Sequence, residues 1–68
     1  MSDKEPILQF FKFMHLPNHL RATSAHFSLL ANEIVATLPR NPERTIALRK
    51  LLEAKDAAVR ALIFEEPT

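Results

Sequence analysis

The chain contains no cysteine and no glycine, and these two absences exclude several classes of site. Without cysteine there is no disulfide framework, thiolate nucleophile or zinc-thiolate site, so any metal would need histidine and carboxylate ligands alone. Glycine-rich phosphate loops and the dinucleotide-binding fingerprint need glycine for close approach of the backbone to phosphate. We therefore expect neither a nucleotide cradle made of backbone amides nor a bound cofactor.

A strong excess of one charge and a long apolar run are missing as well. Nine Lys and Arg residues against eight Asp and Glu residues give a formal charge of +1, far from the basicity of a non-specific nucleic-acid binder. No apolar stretch approaches the roughly 20 residues that cross a bilayer, and the N-terminus lacks the basic start and apolar run of a secretory signal. These patterns predict a soluble, cytoplasmic protein with no membrane or duplex nucleic-acid partner.

The sequence does carry a helical pattern in three parts. Dense apolar residues at 7–14 predict a short helix buried on several sides, which Pro17 should separate from the next element. Apolar residues at three- and four-residue steps predict a long helix over residues 18–38. Asn41 as an N-cap, followed by a proline and an acid, predicts a second long helix over residues 42–64.

We therefore expect a single all-α domain over residues 1–68, with flexible tails at residues 1–6 and 65–68. Its architecture should be a short N-terminal helix followed by an antiparallel two-helix hairpin. A core this small leaves little stability without help from partner subunits. Apolar residues also cover more surface than one pair of helices can bury, so we expect a homo-oligomer.

The histidines and serines do not form a convincing catalytic or metal site. His15, His19 and His26 have spacings that would place them on one helix face, as metal binding requires. Pro17 interrupts that helix, and a His-Glu-x-x-His arrangement is absent. Serines near His26 have no third group to orient them for nucleophilic catalysis. The sequence favours a binding protein over an enzyme and predicts no metal site.

Two basic segments are candidates for binding. Lys12 and His15 lie within a cluster of phenylalanines, an arrangement that can stack bases and counter phosphate, although core packing is the simpler interpretation of those rings. Further basic residues gather around the start of the second long helix, where free amides favour anions. Arg44 is well placed there to meet a phosphate, and a solvated basic surface is the alternative.

The segment from Glu43 to Ala54 resembles the second long helix of a family of small phage proteins. These are helical-hairpin anti-defence sponges, which sequester the cyclic oligonucleotides made by bacterial CBASS immunity. Phe13, His15 and Pro17 resemble the aromatic, histidine and proline ahead of that family's first long helix. The residues shared in the second helix are Glu43, Thr45, Ala47-Leu48, Lys50-Leu51 and Glu53-Ala54. The chain departs from the family's tryptophan, asparagine and terminal arginine on the last turns, where it has Ala57, Val59 and Phe64.

The resemblance implies a non-enzymatic protein of the host cytoplasm that forms multimers, up to hexamers, and binds cyclic di- or trinucleotides between subunits. Paired cations and paired aromatic faces would suit the two phosphates and two bases of a cyclic dinucleotide. The expected ligand-binding residues are Phe13 and His15 for stacking, and Arg21, Arg44 and Lys50 for phosphate. A protein-interaction or assembly module is the main alternative, and a small DNA-binding regulator is a weaker one, because the second helix lacks a dense basic face.

Overall fold

The computed structural model describes residues 5–65 and is all-helical over that range. A 3-10 helix, Pro6–Phe11, is followed by two α-helices, α1 (Asn18–Thr37) and α2 (Pro42–Ile63). Helices α1 and α2 pack against each other and the 3-10 helix packs against both. The predicted all-α class and helical hairpin are confirmed, and both long helices begin at the residues that the sequence predicts.

Local signals account for the boundaries of the two long helices. The side chain of Asn41 accepts the N–H of Arg44 at 2.8 Å, so the predicted N-cap of α2 is confirmed. Leu38 leaves the helical region at the end of α1 (φ −102, ψ 144) because it precedes a proline. Helix α1 ends at Thr37 and α2 at Ile63, each one residue before its predicted end. This difference lies within the usual uncertainty of helix assignment.

The N-terminal element differs from its prediction in type and length. The sequence predicts a helix over residues 7–14, but the 3-10 helix ends at Phe11 and Lys12 is extended (φ −64, ψ 142). A run of six residues is too short to stabilise an α-helix by itself, and 3-10 helices occur as short pieces, although six residues is long for one.

Glu5 and Pro6, which the sequence assigns to the flexible N-terminal tail over residues 1–6, form part of the packed structure. Pro6 begins the 3-10 helix. The carbonyl of Glu5 accepts the N–H of Leu8 at 3.0 Å, and the Glu5 side chain is paired with α2. Residues 1–4 and 66–68, which belong to the predicted tails, lie outside the described residues.

The core lies where the three elements meet. Each element contributes one fully buried apolar residue: Phe11, Ala31 and Leu48. Partly buried apolar residues surround these three: Ile7, Leu8, Phe27, Ile34, Val35, Leu51 and Leu52. Leu30 and Leu38 belong to the pattern of three- and four-residue apolar steps that predicts α1, but both are exposed. The small residues Ser24 and Ala31 form the buried line of α1, and Leu30 lies about 100° around the helix from Ala31.

A large part of the apolar surface stays exposed to solvent within residues 5–65. This set comprises Phe10, Met14, Leu29, Leu30, Leu38, Ile46, Leu62, Ile63 and Phe64. Over the same residues, no helix is both long and apolar enough to cross a membrane.

Candidate functional site

A pair of adjoining grooves runs between the N-terminal segment and the middle of α1. The larger has a volume of about 530 Å³ and is lined by Glu5, Pro6, Leu8, Gln9, Lys12, Ser28 and Asn32. The smaller has a volume of about 340 Å³ and is lined by Lys12, Phe13, Met14, His15 and Ser28. Because Lys12 and Ser28 line both, we treat them as one surface and call it the N-terminal groove.

The groove exists because the chain is anchored on both sides of residues 12–15. Phe11 is buried in the core just before them. The carbonyl of Leu16, just after them, accepts a hydrogen bond from Nη2 of Arg21 at 3.2 Å. Between these anchors the backbone is extended at Lys12 and then turns, with the N–H of Leu16 donating to the carbonyl of Phe13 at 3.0 Å. The intervening side chains therefore lie along α1 without entering the core.

The side chains of the groove offer a cation, aromatic surface and amide groups together. Lys12 and His15 are exposed, and the ring of Phe13 is half-buried. Nδ2 of Asn32 donates to the carbonyl of Ser28 at 2.8 Å, which leaves its Oδ1 and its second N–H available. Amides of this kind read the edges of bases, while cations and aromatic rings suit phosphates and base faces.

Of the five predicted ligand-binding residues, Phe13 and His15 line the groove together. Arg21 lies behind it, where it holds the carbonyl of Leu16, and its Nε is buried with no hydrogen-bond partner among residues 5–65. Lys50 is on the exposed side of α2, with its Nζ 3.8 Å from Glu53, and lies outside the groove. Within a single chain, Arg21 and Lys50 are therefore not brought together with Phe13 and His15.

Arg44 occupies a different environment from the exposed phosphate site that the sequence predicts. Its side chain is only 6% exposed. Nη1 donates to the carbonyls of Val35 and Leu38 at 3.2 and 3.1 Å, and Nη2 donates to the carboxylate of Glu5. The guanidinium therefore satisfies carbonyls at the C-terminal end of α1, which have no partner within that helix, and neutralises Glu5.

Lys12 is a basic groove residue that the five predicted ligand-binding residues do not include, although the sequence places it in the aromatic and basic cluster. Its position between Phe11 and Phe13 was a usable signal, because a cation flanked by aromatic residues is typical of nucleotide sites. Gln9, Ser28 and Asn32 carried no such signal, since they join the groove only through packing of the N-terminal segment on α1.

In the part of the chain that the structure describes, no group of three or more His, Asp or Glu side chains could hold a metal ion. The three histidines are exposed.

Comparison of the chain with models of protein families, with curated proteins and with solved structures finds no match.

Proposed function

We propose that the protein binds cyclic oligonucleotides in the N-terminal groove and sequesters them without cleaving them. The observation that carries this proposal is the meeting of Lys12, Phe13 and His15 in one concave surface beside the amide of Asn32. In this proposal the protein is a phage anti-defence protein that removes CBASS second messengers from the host cytoplasm, as the sequence resemblance implies. Sequestration needs abundance and tight binding, and it requires no catalytic group.

The chemistry of the groove suits such a ligand. Lys12 supplies a positive charge for one phosphate, and Phe13 and His15 supply faces on which a base can stack, each stack being worth about 1–3 kcal/mol. The groove volumes, about 530 and 340 Å³, lie within the range of about 300–1,000 Å³ typical of small-molecule sites. A cyclic ligand is already held in shape, so it loses little conformational entropy on binding.

The proposal includes a homo-oligomer that forms through the exposed face of α1. Leu29 and Leu30 lie on this face next to Glu33, and Arg21 is the one other Lys, Arg, Asp or Glu residue of α1. The exposed side of α2 carries many charged residues, including Lys50 and Glu53. Burying apolar side chains is favourable and burying unpaired charges is costly. The face of α1 is therefore the better surface for a second copy, which would also add walls to an open groove.

We expect the melting temperature to rise with at least one member of a panel of cyclic di- and trinucleotides, with linear dinucleotides as controls. A ligand at 100 times its Kd stabilises the folded state by about 2.7 kcal/mol. In a domain of this size that corresponds to a rise of about 10 °C or more. The measurement is thermal melting followed by circular dichroism.

Matched variants locate the site in the same assay. Lys12→Gln and Phe13→Ala should each weaken binding about tenfold, because each removes one contact with phosphate or base. Arg49→Gln removes the same charge as Lys12→Gln from an exposed position on α2 and should leave the affinity unchanged. Equal affinities in all three variants would show that the ligand does not bind in the N-terminal groove.

The surface favours one other function, a module that binds a protein partner. Phe10 and Met14 are large and exposed; Met14 lines the groove, and Phe10 is close to it in sequence. Such a module would use Phe10, Phe11 and Phe13 as an apolar anchor. Phe11 is buried and cannot take part, whereas Phe13 is half-buried and can contribute only its exposed part. A panel in which no cyclic nucleotide changes the melting temperature would favour this function, and pull-down experiments with Phe10→Ala as the control would then test it.

We expect light scattering at micromolar concentration to give a mass larger than the 7.8 kDa of one chain. Leu29→Glu should shift the protein toward the monomer, because it places a charge in the proposed apolar interface. Ala57→Glu introduces the same charge on the exposed side of α2 and should leave the mass unchanged. A wild-type protein that is already monomeric would exclude a site shared between subunits.

A further inference from the structure

The side chains of two arginines, Arg44 and Arg40, approach the carboxylate of Glu5. The carboxylate accepts a hydrogen bond from Nη2 of Arg44, and Nε of Arg40 is 4.0 Å from the same oxygen. The Glu5 side chain is only 10% exposed, whereas that of Arg40 is 63% exposed. Two guanidinium groups therefore converge on one carboxylate that is held almost out of solvent.

Glu5 also belongs to the wall of the N-terminal groove. The groove and the two arginines thus meet at a single side chain, with Lys12 lining the same groove. Guanidinium groups bind carboxylate and phosphate oxygens with the same geometry, so either anion can occupy such a position. Nε of Arg44 is a further buried donor that has no partner within residues 5–65.

We propose that Glu5 is an internal competitor: its carboxylate occupies an anion site formed by Arg44 and Arg40, and a phosphate group of the ligand displaces it. This inference rests on the proposed function, because it assigns the second phosphate of a cyclic dinucleotide to the arginine pair while Lys12 meets the first. Arg44 then contacts ligand only after Glu5 has left, which reconciles its burial with the phosphate-binding role that its sequence position suggests.

The exchange conserves the ion pairing of the buried guanidinium. One anion replaces another on Arg44, so this buried charge is not left without a partner. The movement is confined to the first turn of the 3-10 helix, where the carbonyl of Glu5 accepts the N–H of Leu8 at 3.0 Å. Phe11, at the other end of that helix, remains in the core as an anchor. The competition multiplies the intrinsic affinity of the site by the fraction of time that Glu5 leaves it free.

Inorganic phosphate tests the anion site without any nucleotide. We expect the apparent Kd for phosphate, measured from melting temperatures against chloride at equal ionic strength, to be at least about tenfold lower in Glu5→Gln than in the wild type. Glutamine keeps the shape and an acceptor oxygen but removes the competing charge. Adding Arg40→Gln to Glu5→Gln should reverse the gain. Equal phosphate affinities in wild type and Glu5→Gln would overturn the proposal.

Hydrogen exchange of the wild-type protein provides a second test, which holds even if Glu5→Gln folds poorly. Saturating phosphate should make the amide of Leu8 exchange about tenfold faster, because displacement of Glu5 opens the turn that protects it. Slower or unchanged exchange at Leu8 on phosphate binding would refute displacement.

The two proposals fail in different ways. Cyclic nucleotides that stabilise the protein, combined with no gain of phosphate affinity in Glu5→Gln, would overturn the competitor and leave the proposed function standing. A gain of phosphate affinity in Glu5→Gln, combined with no response to any cyclic nucleotide, would support the anion site and overturn the proposed function.

Discussion

Phe11→Ala should lower the free energy of unfolding by about 3–5 kcal/mol, the usual cost of removing a buried phenylalanine. The ring is 1% exposed and belongs to a core to which each of the three helices contributes one fully buried residue. At about 0.05–0.15 kcal/mol per residue, a domain of 68 residues has roughly 3–10 kcal/mol of stability in total, so a large fraction of this variant should be unfolded at moderate temperature. Urea denaturation followed by circular dichroism measures the change.

Phe10→Ala is the matched control for this substitution. Phe10 is the preceding residue in the same 3-10 helix, but it is 56% exposed. Its replacement should change the free energy of unfolding by less than about 1 kcal/mol. Equal losses in the two variants would mean that the 3-10 helix does not pack with Phe11 toward the core.

Arg44→Ala should cost about 3–5 kcal/mol, because it removes one partner of a buried ion pair. The change leaves the Glu5 carboxylate without its close partner and removes the donor that serves the carbonyls of Val35 and Leu38. Chemical denaturation of the variant measures this cost. Loss of nucleotide binding in Arg44→Ala is therefore informative only at a temperature where the variant is shown to be folded.

Arg40→Ala tests whether the stability lost in Arg44→Ala comes from the buried position of Arg44 or from its charge alone. Arg40 carries the same charge and lies 4.0 Å from the same carboxylate, but its side chain is 63% exposed. Exposed ion pairs contribute about 0–1 kcal/mol, so we expect a loss within that range. A loss in Arg40→Ala as large as that in Arg44→Ala would show that charge near Glu5, and not the buried hydrogen-bonded geometry, stabilises the fold.

The sequence by itself determined the hairpin, because the signals that begin and end its helices are local. Asn41 caps α2 through an amide three positions away, and Leu38 leaves the α region because proline follows it. Phe13 and His15 line the groove together because they lie in one short segment between two anchors; their role in ligand binding stays a prediction. The aromatic and basic composition of that segment predicts the chemistry of the groove without knowledge of the fold.

Only the tertiary structure decided which of the neighbouring phenylalanines is buried and what Arg44 contacts. A dense apolar run has no single buried face, so its sequence does not distinguish Phe10 from Phe11, and packing against α1 and α2 makes the choice. The partner of Arg44 is a carboxylate 39 positions away in the chain, a separation at which periodicity and capping rules carry no information. Such a contact exists because folding brings the N-terminal segment to the hairpin connection. Both side chains are nearly buried there, so leaving either charge without a partner would be costly. This cost favours the pairing of Arg44 with Glu5.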